Sequence, residues 1–140
     1  MHKVDICDVT ETGHLKSQKY KFPYHSTYSA FWSSDINRYV GVGLIIYRKW
    51  CLYVQHTFLQ NDRFIYVDLF FKGHIKVRII VVYVHANPNA RQQRQTLQSQ
   101  LIELIRISRK AQYHIIIMGD FNTNIERFYS SITKHNKDSW

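Results

Sequence analysis

Residues 75–118 constrain the fold more than any other part of the chain. Ile75, Val77, Ile79, Val81 and Tyr83 alternate with Lys76 and Arg78 at the two-residue period of a strand. From Ile80 onward both faces are apolar, which predicts that the second half, as far as Val84, is buried on both sides. Asn87-Pro-Asn89 stops the strand. Leu97, Leu101, Leu104 and Ile105 then recur at helical spacing and predict a helix from Gln92 to Lys110. Arg106, Arg109 and Lys110 suit the negative end of its macrodipole. His114 to Met118 reads as a buried strand closed by Gly119. Strand, helix, strand is a βαβ unit, and a parallel crossover puts the C-terminal ends of both strands on one edge. Tyr83, His85 and Asn87 are therefore expected near Asp120 and Asn122, on the edge where open α/β sheets bind ligands.

The other segments are shorter. Val4 to Thr10 predicts a strand that ends at Glu11-Thr-Gly13. Residues 14–39 are polar and aromatic and read as loop with at most an irregular strand. Gly41-Val-Gly-Leu-Ile-Ile-Tyr47 opens a β-rich block. It continues through Trp50 to Gln55 and Phe64 to Phe71, with turns at Asn61-Asp62 and Lys72-Gly-His74. With 140 residues the chain suits one domain. Cys7 and Cys51 cannot frame a disulfide scaffold and are read as reduced, buried small hydrophobes. Asp5, Asp8 and Glu11 interrupt the first apolar stretch, and no apolar run is long enough to cross a bilayer. The expectation is a soluble intracellular protein, cytoplasmic or nuclear, with no membrane partner.

Charge points to a partner. Lys and Arg number 19 against 10 Asp and Glu, a formal net charge of +9. Such a surplus favours a polyanion, most simply nucleic acid; a basic but unspecific surface is the other reading.

Chemistry concentrates at the predicted edge. In Met118-Gly-Asp-Phe-Asn122 a carboxylate directly follows a strand, and Gly119 lets the backbone turn or a ligand approach closely. In extended chain Asn122 points the same way as Asp120, so the pair offers a hard anionic oxygen and an amide to Mg²⁺ or to a water. An Asp-Asn turn that merely ends a strand reads equally well. Glu11 repeats the arrangement at the end of the first strand, against a solvated surface glutamate as the alternative. Tyr83 in this position is more often core than catalytic. His85 reads as a phosphate contact, as an acid–base group or as an ordinary loop histidine. Arg91 and Arg94 open the helix beside the edge; with Lys76, Arg78 and Arg127 they would make a phosphate-tracking face, or simply solvated basic positions. Gly41-Val-Gly43 is too short for a phosphate loop, and no Walker, His-Glu-x-x-His or Gly-x-Ser-x-Gly motif occurs.

The order Asp5-Ile-Cys-Asp-Val-Thr-Glu11-Thr12, Gly41-Val-Gly-Leu-Ile45, Tyr83-Val-His-Ala-Asn87 and Gly119-Asp-Phe-Asn122 resembles the endonuclease/exonuclease/phosphatase superfamily. That superfamily includes apurinic and retrotransposon-type endonuclease domains. The resemblance implies an α/β (α+β) DNase I-like fold, a two-sheet β-sandwich flanked by helices. It also implies metal-assisted hydrolysis of a phosphodiester by an endonuclease using Mg²⁺ or Mn²⁺. By it, Glu11 is the metal ligand, and Tyr83, Asp120 and Asn122 are catalytic, with Asp120 acting on the attacking water. By the same resemblance Asn87 faces the scissile phosphate; His85 and Arg91, from their positions at the edge, are expected to bind the substrate, DNA or RNA. Family members carry a further strand before the Glu strand and end in Ser-Asp-His, which Lys134-His-Asn-Lys-Asp138 does not match. The expectation is a partial domain over residues 1–140 with a polar tail at 123–140. One sheet would lack strands that a completing chain or segment would supply. A basic, non-catalytic nucleic-acid-binding remnant of the same fold is the competing reading.

Overall fold

A computed structural model describes residues 4–12, 19–21, 27–33 and 40–122. Arg127, Lys134, Asp138 and the rest of the polar tail lie outside the described residues. Two four-stranded sheets carry the chain. The first has the order β1 (Ile6–Thr10), β4 (Val42–Tyr47), β3 (Tyr28–Trp32), β2 (Lys19–Lys21) and is antiparallel. The second has the order β5 (Val54–Phe58), β6 (Phe64–Phe71), β7 (Ile75–Tyr83), β8 (Tyr113–Asp120). Only its last pair, β7 with β8, is parallel. A single helical turn, α1 (Arg48–Cys51), joins the sheets, and α2 (Arg91–Lys110) makes the crossover between β7 and β8.

Period-two patterning decides which residues meet. Val42, Leu44 and Ile46 from the first sheet, with Phe31, pack against Ile65, Val67, Leu69, Ile79 and Val81 from the second. The opposite face of the second sheet, Phe64, Ile80, Val82 and Val84, packs against Leu97 and Leu101 of α2. The latter half of β7 is thus covered on both sides, by a sheet and by a helix, as its apolar run requires. Among the described residues no helix is long and apolar enough to cross a membrane.

Four local expectations are corrected. Within residues 14–39, read as loop, the chain forms β2 and β3, and β3 is central, with Ala30 and Phe31 fully buried. Phe31 of this strand faces the core between the sheets, and Ala30 on the opposite face is fully buried too, so the strand carries no polar alternation. The strand read at Trp50 to Gln55 is instead the end of α1, a turn, and the start of β5. Its aromatic density serves packing: Tyr53 and Phe71 rings lie 4.7 Å apart, and Trp50 stands edge-on to Phe71 at 6.0 Å. The cysteines are both free, but Cys7 is exposed and Cys51 half-buried, because Cys7 falls on the opposite face of β1 from Ile6, which packs on the core. Finally, β8 is not buried. It is the edge of its sheet, with His114 exposed and Ile116 47% exposed on the face that Val77 and Ile79 share.

Lys76 and Arg78 do not form a phosphate-tracking face. Arg78 is 8% exposed and its guanidinium is spent inside the protein. Nε and Nη2 donate to the two carboxylate oxygens of Asp68, each at 2.7 Å, and Nη1 donates to Ser108 Oγ on α2 at 2.9 Å. The guanidinium lies over the rings of Tyr66 at 4.1 Å and Tyr113 at 4.4 Å. Those Asp68 bonds hold its pKa above the usual arginine value. Lys76 Nζ donates to Ala111 O at 3.0 Å, at the end of β7 away from Tyr83.

Candidate active site

The site is built where three strands end. β1 stops at Thr10, and Glu11 takes a φ of 56°. Strand alternation alone would send its side chain to the outer face, since Thr10 pairs with core-facing Val42. The left-handed turn instead brings the carboxylate to β7, where the Tyr83 hydroxyl donates to Glu11 Oε1 at 2.6 Å, across 72 positions of sequence. This is a charge-assisted bond. It pushes the Tyr83 pKa up, with burial adding to the shift, so the phenol stays protonated at neutral pH.

Asp120 enters from β8. The parallel register makes it the partner of Tyr83, and its carboxylate adds to the upward shift of that phenol. Its backbone and side chain are held on both sides: Val84 N donates to Asp120 O at 2.8 Å, and Asn122 N donates to Asp120 Oδ1 at 2.9 Å. Asn122 does not run on in extended chain as its spacing suggested. With φ of 43° it turns back, and its Nδ2 donates to Val84 O at 2.8 Å. The amide therefore ties β8 to β7 and orients Asp120.

Gly119 makes the approach of those strands feasible. Its φ is 125°, and a Cβ there would overlap the carbonyl oxygen of Val82, its register partner. Gly119→Ala is expected to destabilise the protein by about 2–4 kcal/mol, through strain and the separation of β7 from β8. Urea unfolding of the variant checks this; an unchanged midpoint would contradict it.

The remaining predicted residues are placed less centrally. Asn87 is exposed, its Oδ1 accepts from Asn89 N at 2.9 Å, and no hydrogen bond joins it to Tyr83 or Asp120 among the described residues. His85 is half-buried. Burial, then the nearby Arg63, lowers its pKa, so the imidazole is neutral at pH 7. Arg91 is exposed at the first position of α2. Arg94 clamps the β7–α2 loop, donating to Asn87 O at 3.1 Å and Pro88 O at 3.2 Å.

Sequence reading missed Arg63. Its guanidinium lies 5.1 Å from the Tyr83 ring centroid, and its carbonyl accepts from Tyr83 N at 2.8 Å. The signal was available: a β6–β7 hairpin turning at Lys72-Gly-His74 sets the start of β6 beside the end of β7.

The donor set at these strand ends suits one kind of cation. Among the described residues no three His, Cys, Asp or Glu side chains converge as a closed metal cage. Mg²⁺ has other needs: it keeps several waters and takes one or two carboxylates plus substrate phosphate. Glu11, with one oxygen held by Tyr83, fits that requirement. Beside it, buried Thr12 Oγ1 lacks a hydrogen-bond partner among the described residues, a polar position that a bound water would satisfy.

Two four-stranded sheets packed face to face, with a crossover helix on the outer face of the second, are a DNase I-like two-sheet architecture. Among solved structures, the chain is similar to the human Nocturnin catalytic domain with bound sulfate anion. The TM-score is 0.59 at 18% identity, over 86% of this chain and 52% of that one. The likeness shows the fold, and the chain spans about half the length of that domain. The sequence matches no family model, and no curated protein matches it.

Proposed function

We propose that this chain carries the Glu11–Tyr83–Asp120 part of a divalent-metal-dependent phosphodiesterase, an endonuclease acting on nucleic acid. One observation carries the reading: the Tyr83 hydroxyl, 2.6 Å from Glu11, belongs to the register partner of Asp120, so two carboxylates distant in sequence serve one strand end. The net charge of +9 supports a polyanionic substrate.

In this reading Glu11 holds Mg²⁺ or Mn²⁺, which when bound neutralises charge on the phosphoryl oxygens. Tyr83, kept protonated, orients Glu11 through its hydroxyl. Asp120 accepts the proton of the attacking water with the carboxylate that Asn122 N steadies; Asn122 is a positioning residue. His85, neutral, and Arg63 face the substrate side, and the exposed Asn87 and Arg91 contact its backbone. A segment or partner chain adding strands beyond the open edge of β8 completes the sheet.

The test is hydrolysis of labelled DNA and RNA with Mg²⁺, with Mn²⁺ and with chelator. Cleavage that requires the divalent ion is expected. A second reading, nucleic-acid binding without chemistry, rests on the same net charge of +9. It predicts salt-sensitive binding and no turnover with either ion.

A further inference from the structure

Arg63, whose guanidinium lies over the Tyr83 ring, also lines an open cavity of about 500 Å³ between the β5–β6 loop and the first half of α2. That is the size range of small-molecule sites. We infer that this cavity receives an unpaired nucleobase of the substrate strand, so that the proposed phosphodiesterase, on whose reading this rests, acts on single-stranded or locally opened nucleic acid.

The lining selects a neutral planar polar group over a phosphate. Asp62 and Arg63 oppose one another in charge, and the imidazole of His85 is uncharged at neutral pH. Gln92, Gln93 and Gln100 along α2 offer carboxamides, which present a donor and an acceptor side by side, as base edges do. Asn61 adds only its amide hydrogens, because its Oδ1 already accepts from Arg63 N at 2.8 Å and Phe64 N at 3.2 Å. Leu97, 4% exposed, adds an apolar patch for a ring face.

Position links the cavity to the chemistry. Arg63 both lines it and sits over the Tyr83 ring, so a phosphate at Tyr83 and Asp120 leaves its neighbouring base one side chain from the opening. A base stacked in a duplex cannot enter; an unstacked one can be held by its edge.

The experiment measures binding by fluorescence anisotropy in chelator, where no cleavage occurs. The probes are a short labelled single strand, the same strand built wholly of abasic nucleotides, and the duplex. Backbone charge is equal in the two single strands, so counterion release cancels and their difference reports the bases. The normal strand is expected to bind about tenfold tighter than the abasic strand, about 1.4 kcal/mol, and tighter than the duplex. Thr96→Leu, at an exposed helix position lining the cavity, narrows it with an aliphatic side chain that neither stacks on a base nor pairs with its edge, and should bring the normal strand towards the abasic level. Gln93→Ala and Gln100→Ala, also on the helix surface, should each weaken the normal strand alone. Equal affinity for normal and abasic strands, or no effect of Thr96→Leu, overturns the inference. Base-dependent binding with no metal-dependent cleavage sinks only the phosphodiesterase reading; cleavage with base-blind binding sinks only the cavity.

Discussion

Glu11→Gln and Asp120→Asn are each expected to lower the rate of phosphodiester cleavage about 10³-fold or more, with the fold intact. The substitutions isolate charge from shape. Glutamine at position 11 keeps a carbonyl oxygen for the Tyr83 hydroxyl but loses the anion that a hard cation needs. Asparagine at position 120 keeps the oxygen that accepts from Asn122 N, so the turn after β8 survives while the proton acceptor is lost. Both positions are exposed, so unfolding midpoints should stay near wild type. Single-turnover kinetics with saturating Mg²⁺ separates loss of chemistry from loss of binding. Wild-type rates in both variants would show that the strand-end carboxylates are not the site. Loss in one and not the other would divide the roles assigned to them.

The largest stability effect is expected at Arg78, far along β7 from that chemistry. Arg78→Met should destabilise the protein by about 3–5 kcal/mol, because it leaves Asp68, 1% exposed, as a buried carboxylate without its bidentate partner. The same change strips Ser108 Oγ of a donor and removes the cation held over Tyr66 and Tyr113. Asp68→Leu should cost a similar amount by stranding the guanidinium. The double variant should recover most of the loss, since two apolar side chains remove both desolvated charges together. Urea unfolding of the four proteins gives the coupling directly. Additive losses in the double variant would mean that the pair is not the energetic unit seen in its geometry.

Local periodicity made much of this fold legible. The two-residue repeat of Ile75 to Tyr83 and the helical stripe of Leu97, Leu101 and Ile105 each state which face is apolar, and burial follows directly. The parallel βαβ unit could also be read, because a strand–helix–strand order leaves few ways to return to one sheet. β3 escaped notice because Ser29 and Ala30 carry almost no apolar signal, although Ala30 is fully buried. Arg78 misled for a related reason. A charged residue on an alternate position reads as solvent-facing, yet here a helix covers that face and an aspartate on the next strand meets it.

What the amino-acid order determined by itself was the set of strand ends and the residues standing on them: Glu11, Tyr83, Asp120 and Asn122. These depend on neighbours a few positions away, within reach of a repeat or a turn. Only the tertiary structure decided that Glu11 turns inward at a φ of 56° and meets the Tyr83 hydroxyl, that Asn122 folds back onto Val84, and that Arg63 joins them. Those contacts link elements on different sheets or different strands. They exist because burying two apolar sheet faces against each other leaves β1 and β7 one packing arrangement, which no local pattern encodes.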